Sequence, residues 1–261
     1  MEFEDILYEK NRGIARITIN RPKVYNAFRS KTIAELTTAF EDAEDDRSVG
    51  VIVFTGAGNK AFCSGGDVAE MGGLDPHTGQ QFIREIMKLM LTIRGTGKPV
   101  IARVNGYCLG GGNELNVACD LTIASENSKF GQVGPTVGSV PIVGGTQMLP
   151  RVVGEKKARE MIFLCQQYSA HEAAAMGLVN KVVPQDQLDE EVDRWCQRIL
   201  ELSPQALRIA KTALNFESDM LYPSLTHGRQ MLCQIYGGEE FKEGMKAFLE
   251  KRRADFEKFR K

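Results

Sequence analysis

Along the first half of the chain, short apolar runs rich in β-branched residues repeatedly stop at a glycine or proline and give way to helical periodicity. "GIARITINRP" alternates apolar and polar residues up to Pro22, which reads as a strand. "SKTIAELTTAFEDAEDD" keeps a helical apolar period behind a serine cap, and "VGVIVFTGAG" reads as a buried strand closed by glycine. A second cycle runs through "KAFCSGGD", the helical "GQQFIREIMKLMLTIRG" and "KPVIARVNGY". A third runs from the glycine triplet of "CLGGGNELNVA" into "CDLTIASEN". Strands that alternate with helices need crossover connections, so an α/β fold with a mainly parallel, helix-covered sheet is expected. Beyond Pro150 the sequence turns helical and only "LVNKVVP" reads as extended. The expected division is a core over residues 1–185 and a helical region over 186–261, packed on that core or on a neighbouring subunit.

Two glycine corners stand out: "AFCSGGDVAEM", and the triplet Gly110, Gly111 and Gly112. Each follows a strand-like run and precedes helical sequence. In a parallel sheet, the loops leaving the carboxyl ends of the strands converge on one crevice. Backbone N–H groups without a neighbouring Cβ can approach an oxygen closely, and a helix start favours negative charge. Two such donors from two loops make an oxyanion hole. Glycine corners also serve tight strand-to-helix packing, and the corners alone leave both readings open. The phosphate-loop pattern GxxxxGK[ST] is absent, and "GYCLGGGNE" lacks the dinucleotide spacing. Glu114 lies three residues after Gly111, one helical turn on and on the same side. Its apolar neighbours should raise its pKa toward the range useful to a general base or acid.

The balance of 33 basic against 34 acidic residues, net −1, argues against a nucleic-acid partner. No apolar run approaches the ~20 residues of a membrane span, and the acidic N-terminus lacks a secretory apolar region. Six cysteines without CxxC spacing suit free thiols in a reducing compartment, so a cytoplasmic protein is expected. His77, His171 and His227 show no ligand spacing, and no metal site is expected.

Several motifs in fixed order resemble the enoyl-CoA hydratase/isomerase (crotonase) superfamily: "INRPKVYNAF", "AFCSGGD", "KPVIARVNGYCLGGGNEL", "GGTQMLPRVVGEKKARE", "MGLVNKVVP" and "EGMKAFLEKR". The resemblance runs nearly end to end. It implies a crotonase (ClpP-like) spiral of ββα units with a C-terminal helical trimerisation region, giving a homotrimer or a dimer of trimers. It implies an acyl-CoA substrate, with coenzyme A as part of the substrate, no tightly bound cofactor, and neither nucleic acid nor membrane as partner. By position, the backbone amides of Gly66 and Gly111 would hold the thioester oxygen, and Glu114 would activate the water that attacks the β-carbon. Ser64, Lys60 and Asp67 would contact substrate or CoA around the first corner, although Asp67 also suits the cap of the next helix. Phe248 and Lys251 match residues that reach the adenine end of a neighbouring subunit's CoA.

The sequence departs from the hydratase pattern at Gly134, where those enzymes carry a second glutamate. "GQVGP" and Tyr236 in "QIYGGEE" resemble instead 1,4-dihydroxy-2-naphthoyl-CoA synthase and 2-ketocyclohexanecarboxyl-CoA hydrolase. In some of those synthases bicarbonate near the positions of Gln132 and Gly134 replaces the lost carboxylate, so bicarbonate or another anion is a candidate there. Their usual aspartate is Pro141 here, and an aromatic of their bicarbonate pocket is Ile162. The main expectation is enoyl-CoA hydration with Gly66, Gly111, Glu114 and Tyr236 as the catalytic set. The alternatives are carbon–carbon chemistry on a 2-oxo cyclic acyl-CoA and, from another class, a non-catalytic or RNA-binding relative.

Overall fold

The computed structural model describes residues 2–260. The chain opens with a hairpin, β1 (Ile6–Asn11) and β2 (Ile14–Ile19), followed by α1 (Ser30–Asp45) and β3 (Val51–Gly56). β4 (Ala61–Cys63) leads through the first glycine corner into α2 (Val68–Met71) and the long α3 (Pro76–Gly95). β5 (Val100–Val104) and β6 (Tyr107–Leu109) run into the glycine triplet and α4 (Gly111–Ala118), then β7 (Leu121–Ser125) and β8 (Lys129–Gly131) follow. After a 3-10 turn at Gly134–Val137 come α5 (Leu149–Val153), α6 (Glu155–Leu164), β9 (Tyr168–Ser169), α7 (Ala170–Ala175) and β10 (Lys181–Val183). The chain then continues as α8 (Leu188–Leu200), α9 (Pro204–Asp219), α10 (Tyr222–Cys233) and α11 (Glu239–Leu249). No helix among the described residues is long and apolar enough to cross a membrane.

The strands sort into two sheets. The larger runs β1-β2-β3-β5-β7-β10 and the smaller β4-β6-β8-β9. Apart from the β1–β2 hairpin and the β8–β9 pair, all pairings are parallel. The pairs β3/β4, β5/β6 and β7/β8 each place one strand in each sheet, and this repetition gives the expected spiral of ββα units. "KPVIARVNGY", read as one strand, is therefore two. The break falls at Asn105–Gly106: the Asn105 amide donates to the Gly56 carbonyl at 2.8 Å, and a Cβ at Gly106 would collide with the Lys60 carbonyl.

The sheet interior and the helix faces supply the core. Ile52, Val53 and Phe54 of β3 and Ile101 and Ala102 of β5 are fully buried, as expected of central parallel strands covered on both faces. Helix α3 starts at Pro76 behind an Asp75 cap whose carboxylate accepts from the His77 and Thr78 N–H groups, and it buries Phe82, Ile83, Ile86, Leu89, Met90 and Ile93. The cap expected at Ser30 is displaced by one residue. Ser30 is the first helical residue of α1, and the Arg29 N–H instead donates to Thr32 Oγ1 at 3.2 Å.

Candidate active site

Because β4, β6 and β8 are parallel neighbours, the loops that leave their carboxyl ends emerge side by side. Those loops carry Gly66, Gly111 and the Gln132–Gly134 segment, and all three open on one cavity of about 780 Å³. The two glycine corners pack directly on one another: a Cβ built on Gly65 would fall 3.3 Å from the Gly111 nitrogen. Residue by residue, the triplet has distinct causes. Gly110 has φ +53°, in the region that favours glycine, and a side chain at Gly112 would collide with the Cys63 carbonyl. At Gly111 a Cβ would meet the Phe28 ring at 2.7 Å.

The hydrogen bonds around the corners leave the Gly66 N–H and the first N–H groups of α4 over. Phe28 N–H donates to the Gly65 carbonyl at 2.9 Å and Asp67 N–H donates to the Phe28 carbonyl at 2.8 Å, so this bridge uses the neighbours of Gly66 and not its own N–H. Gly111 is the first residue of α4, where an N–H has no intrahelical acceptor; the first helical bond is Glu114 N–H to the Gly110 carbonyl, 3.1 Å. Neither the Gly66 nor the Gly111 N–H has an acceptor among the described residues.

Glu114 sits in the first turn of α4, is 8% exposed, and lines the same cavity. Its Oε1 accepts from Gly145 N–H at 2.9 Å. Burial pushes its carboxyl up to about 7, and the backbone donors of Gly145 and Val143 only partly oppose that. Among the described residues no lysine or arginine lines the cavity to compensate the charge. Tyr236 closes one side, 1% exposed, its ring edge-on to Phe241 at 5.0 Å and fitted against Gly79, where a Cβ would strike it. Its phenol has no partner among the described residues. Burial raises its pKa well above the ordinary value, with the Cys233 thiol and the Glu114 carboxylate adding to the shift.

Gln132 is fully buried on the cavity wall with both amide atoms unpartnered. Gly134 begins the 3-10 turn, and a Cβ there would come 3.3 Å from the Ser139 carbonyl. An anion beside Gln132 and Gly134 would rest on neutral donors alone, because the cavity offers no cation. Ser64 lines the cavity and is fixed by its N–H, which donates to the Tyr25 carbonyl at 3.1 Å. Asp67 also lines it, but its carboxylate is engaged: Oδ1 accepts from Ala69 N–H at 3.0 Å as the cap of α2, and Oδ2 pairs with Arg21 at 2.9 Å. Phe248 lines the mouth of this chain's own cavity, whereas Lys60 and Lys251 are exposed and do not line it. Pro141 is part of the wall and Ile162 is not.

Sequence reasoning did not find Gly145, the donor that holds Glu114, because every residue type but proline offers a backbone N–H and the loop lies 31 positions away. It also missed the edge-on Tyr25–Tyr107 pair at the mouth, with centroids 6.0 Å apart. Nothing in the spacing of those two residues signals their meeting.

The sequence model of the family described as enoyl-CoA hydratase/isomerase matches residues 9–259. Similar solved structures include an enoyl-CoA hydratase/isomerase from Xanthobacter autotrophicus Py2, 33% identical with a TM-score of 0.88, covering 95% of this chain and 94% of that one. An enoyl-CoA hydratase from Mycobacterium avium subsp. paratuberculosis K-10 is 30% identical with a TM-score of 0.88, over 98% of this chain and 99% of that one. An enoyl-CoA hydratase from Bacillus anthracis is 31% identical with a TM-score of 0.79, over 97% of this chain and 98% of that one.

Proposed function

The chain belongs to the enoyl-CoA hydratase/isomerase family, and on that premise we propose that it adds water reversibly across the double bond of a 2-enoyl-CoA. The observation that carries this reading is the meeting of two unpartnered N–H groups, at Gly66 and Gly111, with a buried carboxylate on one cavity. The thioester oxygen sits between the two amides. Glu114 takes a proton from water as its oxygen bonds to the β-carbon, the electron pair of the double bond moves onto the thioester as an enolate, and the two N–H groups stabilise that charge. Each such donor is worth roughly 3–4 kcal/mol in the transition state. With Gly134 in place of a second carboxylate, the α-carbon takes its proton from protonated Glu114, from water, or from the unpartnered Tyr236 phenol. The raised pKa of that phenol makes it a far weaker acid than the protonated Glu114 carboxyl.

A carboxyl that titrates near 7 suits both halves of this cycle, because it is basic enough to take the proton and acidic enough to return it. The test is to mix the protein with a short 2-enoyl-CoA and follow the conjugated absorbance together with product mass. Loss of absorbance with gain of one water is expected; an unchanged spectrum over hours with active-site concentrations of protein would sink the reading.

One observation favours a second reading. The fully buried, unpartnered Gln132 amide could both donate to and accept from an oxygen on the acyl group, as a 2-oxo cyclic acyl-CoA would provide. Carbon–carbon bond formation or cleavage on such a substrate would then use the same enolate hole. Gln132→Leu separates the two: it should spare a plain enoyl chain and abolish turnover of an oxo-substituted ring.

We also propose that the chain works as a trimer or dimer of trimers in the cytoplasm without a tightly bound cofactor. Ile209, Leu214 and Phe216 stand exposed on α9 and Met220 directly after it, apolar surface that suits a subunit contact.

A further inference from the structure

The two proposed oxyanion donors are held in different ways. The Gly111 N–H belongs to a helix: the Gly110 carbonyl of the same peptide unit accepts from Glu114 N–H at 3.1 Å, in the first turn of α4. The Gly66 N–H belongs to a corner of two successive glycines, where Gly65 has φ +107°. Glycine backbone has little stiffness of its own, so the direction of that N–H is set by whatever grips the corner. In a trans peptide unit the C=O and the following N–H lie in one plane and point opposite ways. The bond from Phe28 N–H to the Gly65 carbonyl, 2.9 Å, therefore fixes the plane that carries the Gly66 donor and turns that donor away from Phe28.

Phe28 must itself be held against the corner, and side chains hold its segment at both ends. At one end the Glu70 carboxylate of α2 accepts from Ser30 N–H at 2.9 Å. At the other, the Arg21 guanidinium donates to the Ala27 carbonyl and, at 2.9 Å, to the Asp67 carboxylate. One planar fork thus joins the residue before Phe28 to the residue after Gly66. The pair is sheltered from solvent, with the Arg21 and Asp67 side chains 15% and 14% exposed. Arg21 is anchored in turn. It follows β2 of the larger sheet, its N–H donates to Asn26 Oδ1 at 3.0 Å, and Asp5 Oδ2 lies 3.7 Å from its Nε. Buried Asn26 donates to the Ala57 carbonyl at 3.0 Å and to the carbonyl of Ala61, the first residue of β4, at 2.7 Å. The larger sheet thereby sets the position of a corner that belongs to the smaller one.

We propose that Arg21 is a positioning residue for the oxyanion hole: through Ala27 and Asp67 it aims the Gly66 N–H without lining the cavity itself. The inference rests on the reading of Gly66 and Gly111 as that hole and adds the side chain that directs one of its donors. Removing one partner of a sheltered ion pair costs stability whatever the pair is for. The decisive readouts are therefore those that a purely structural role leaves alone.

The test compares the whole protein with Arg21→Gln, Asp67→Asn and the double variant. It reads kcat and KM for a short 2-enoyl-CoA, and the near-ultraviolet enolate band of bound 3-oxobutanoyl-CoA, whose enolate is conjugated and puts its negative oxygen in the hole. Arg21→Gln should lower kcat roughly 10- to 100-fold with KM within about threefold of the parent, because a misaimed donor is missed mainly in the transition state. At one pH and saturating ligand the enolate band should fall by a similar factor. Asp67→Asn keeps the cap of α2 but not the charge, and should lower both by a smaller factor. The double variant should lose no more than Arg21→Gln alone, since both substitutions cut one link. A folded Arg21→Gln protein with the parent's kcat and enolate band, or additive losses in the double variant, overturns the proposal. If Arg21→Gln does not fold, Asp67→Asn decides alone, and parent values there overturn the proposal equally. The enolate band needs no turnover, so it reads the aim of the donor even if hydration is not the reaction. A parent that binds 3-oxobutanoyl-CoA without developing the band would remove the hole itself, and the hydratase reading with it.

Discussion

Holding a carboxylate among apolar side chains costs free energy in proportion to the pKa shift it suffers. For Glu114, moved from 4.5 to about 7, that cost is of order 3 kcal/mol once the group is ionised. The sign follows from proton counts. Between about 4.5 and 7 the folded chain keeps a proton that the unfolded chain has released, so this residue's contribution to stability falls as pH rises through that window and is level above it. Glu114→Gln keeps an oxygen for the Gly145 N–H and removes the charge. It should therefore unfold at higher denaturant than the parent at pH 8, by roughly 2–3 kcal/mol, with the advantage gone at pH 4. The same variant should lose hydration activity by about 10²- to 10⁴-fold. Denaturant titrations at the two pH values check the first claim; equal stabilities at pH 8 would show that the carboxylate is not buried as described. Glu114 and the two glycine corners were legible in the sequence because each is marked by residue type and spacing. Gly145 was not, because its part is played by the backbone.

At the scale of elements, the neighbouring parallel strands β4 and β6 bring the two corners together, and close backbone contact behind α4 keeps them there. A methyl at Gly112 would run into the Cys63 carbonyl, which belongs to β4 and cannot swing aside. Gly112→Ala should cost about 3 kcal/mol. A methyl at Gly66 meets only the Met71 thioether, which is flexible, so Gly66→Ala should cost about 1 kcal/mol. Thermal unfolding of the two variants reads the difference, and equal losses would mean that the corners are not packed through that carbonyl. The alternation of strands and helices was readable from periodicity. The allocation of strands to two sheets was not: in "KPVIARVNGY" the apolar pattern runs on past the Asn105–Gly106 break, and only that turn dipeptide hints that the chain changes sheet.

For the whole molecule, α9 buries only Lys211 and Ser218 while leaving Leu214 82% and Phe216 72% exposed, more apolar surface than a lone subunit is expected to show to water. The chain of 28.9 kDa should accordingly run at three or six times that mass in light scattering after size exclusion. Replacing Leu214 and Phe216 by glutamate should shift it toward the single chain. A parent that is monomeric at micromolar concentration would contradict this. Assembly of this kind was expected from the resemblance and not from periodicity, since a helical pattern shows an apolar face without showing what covers it.

The central claim is that Glu114 acts as a base beside the hole formed at Gly66 and Gly111, and the pH dependence of kcat/KM for a short 2-enoyl-CoA tests it most directly. Hydration should rise through an apparent pKa near 7 and level off above it, and Glu114→Gln should show no such rise on its residual rate. A parent profile flat from pH 5 to 9, or a Glu114→Gln enzyme as fast as the parent, would contradict the claim.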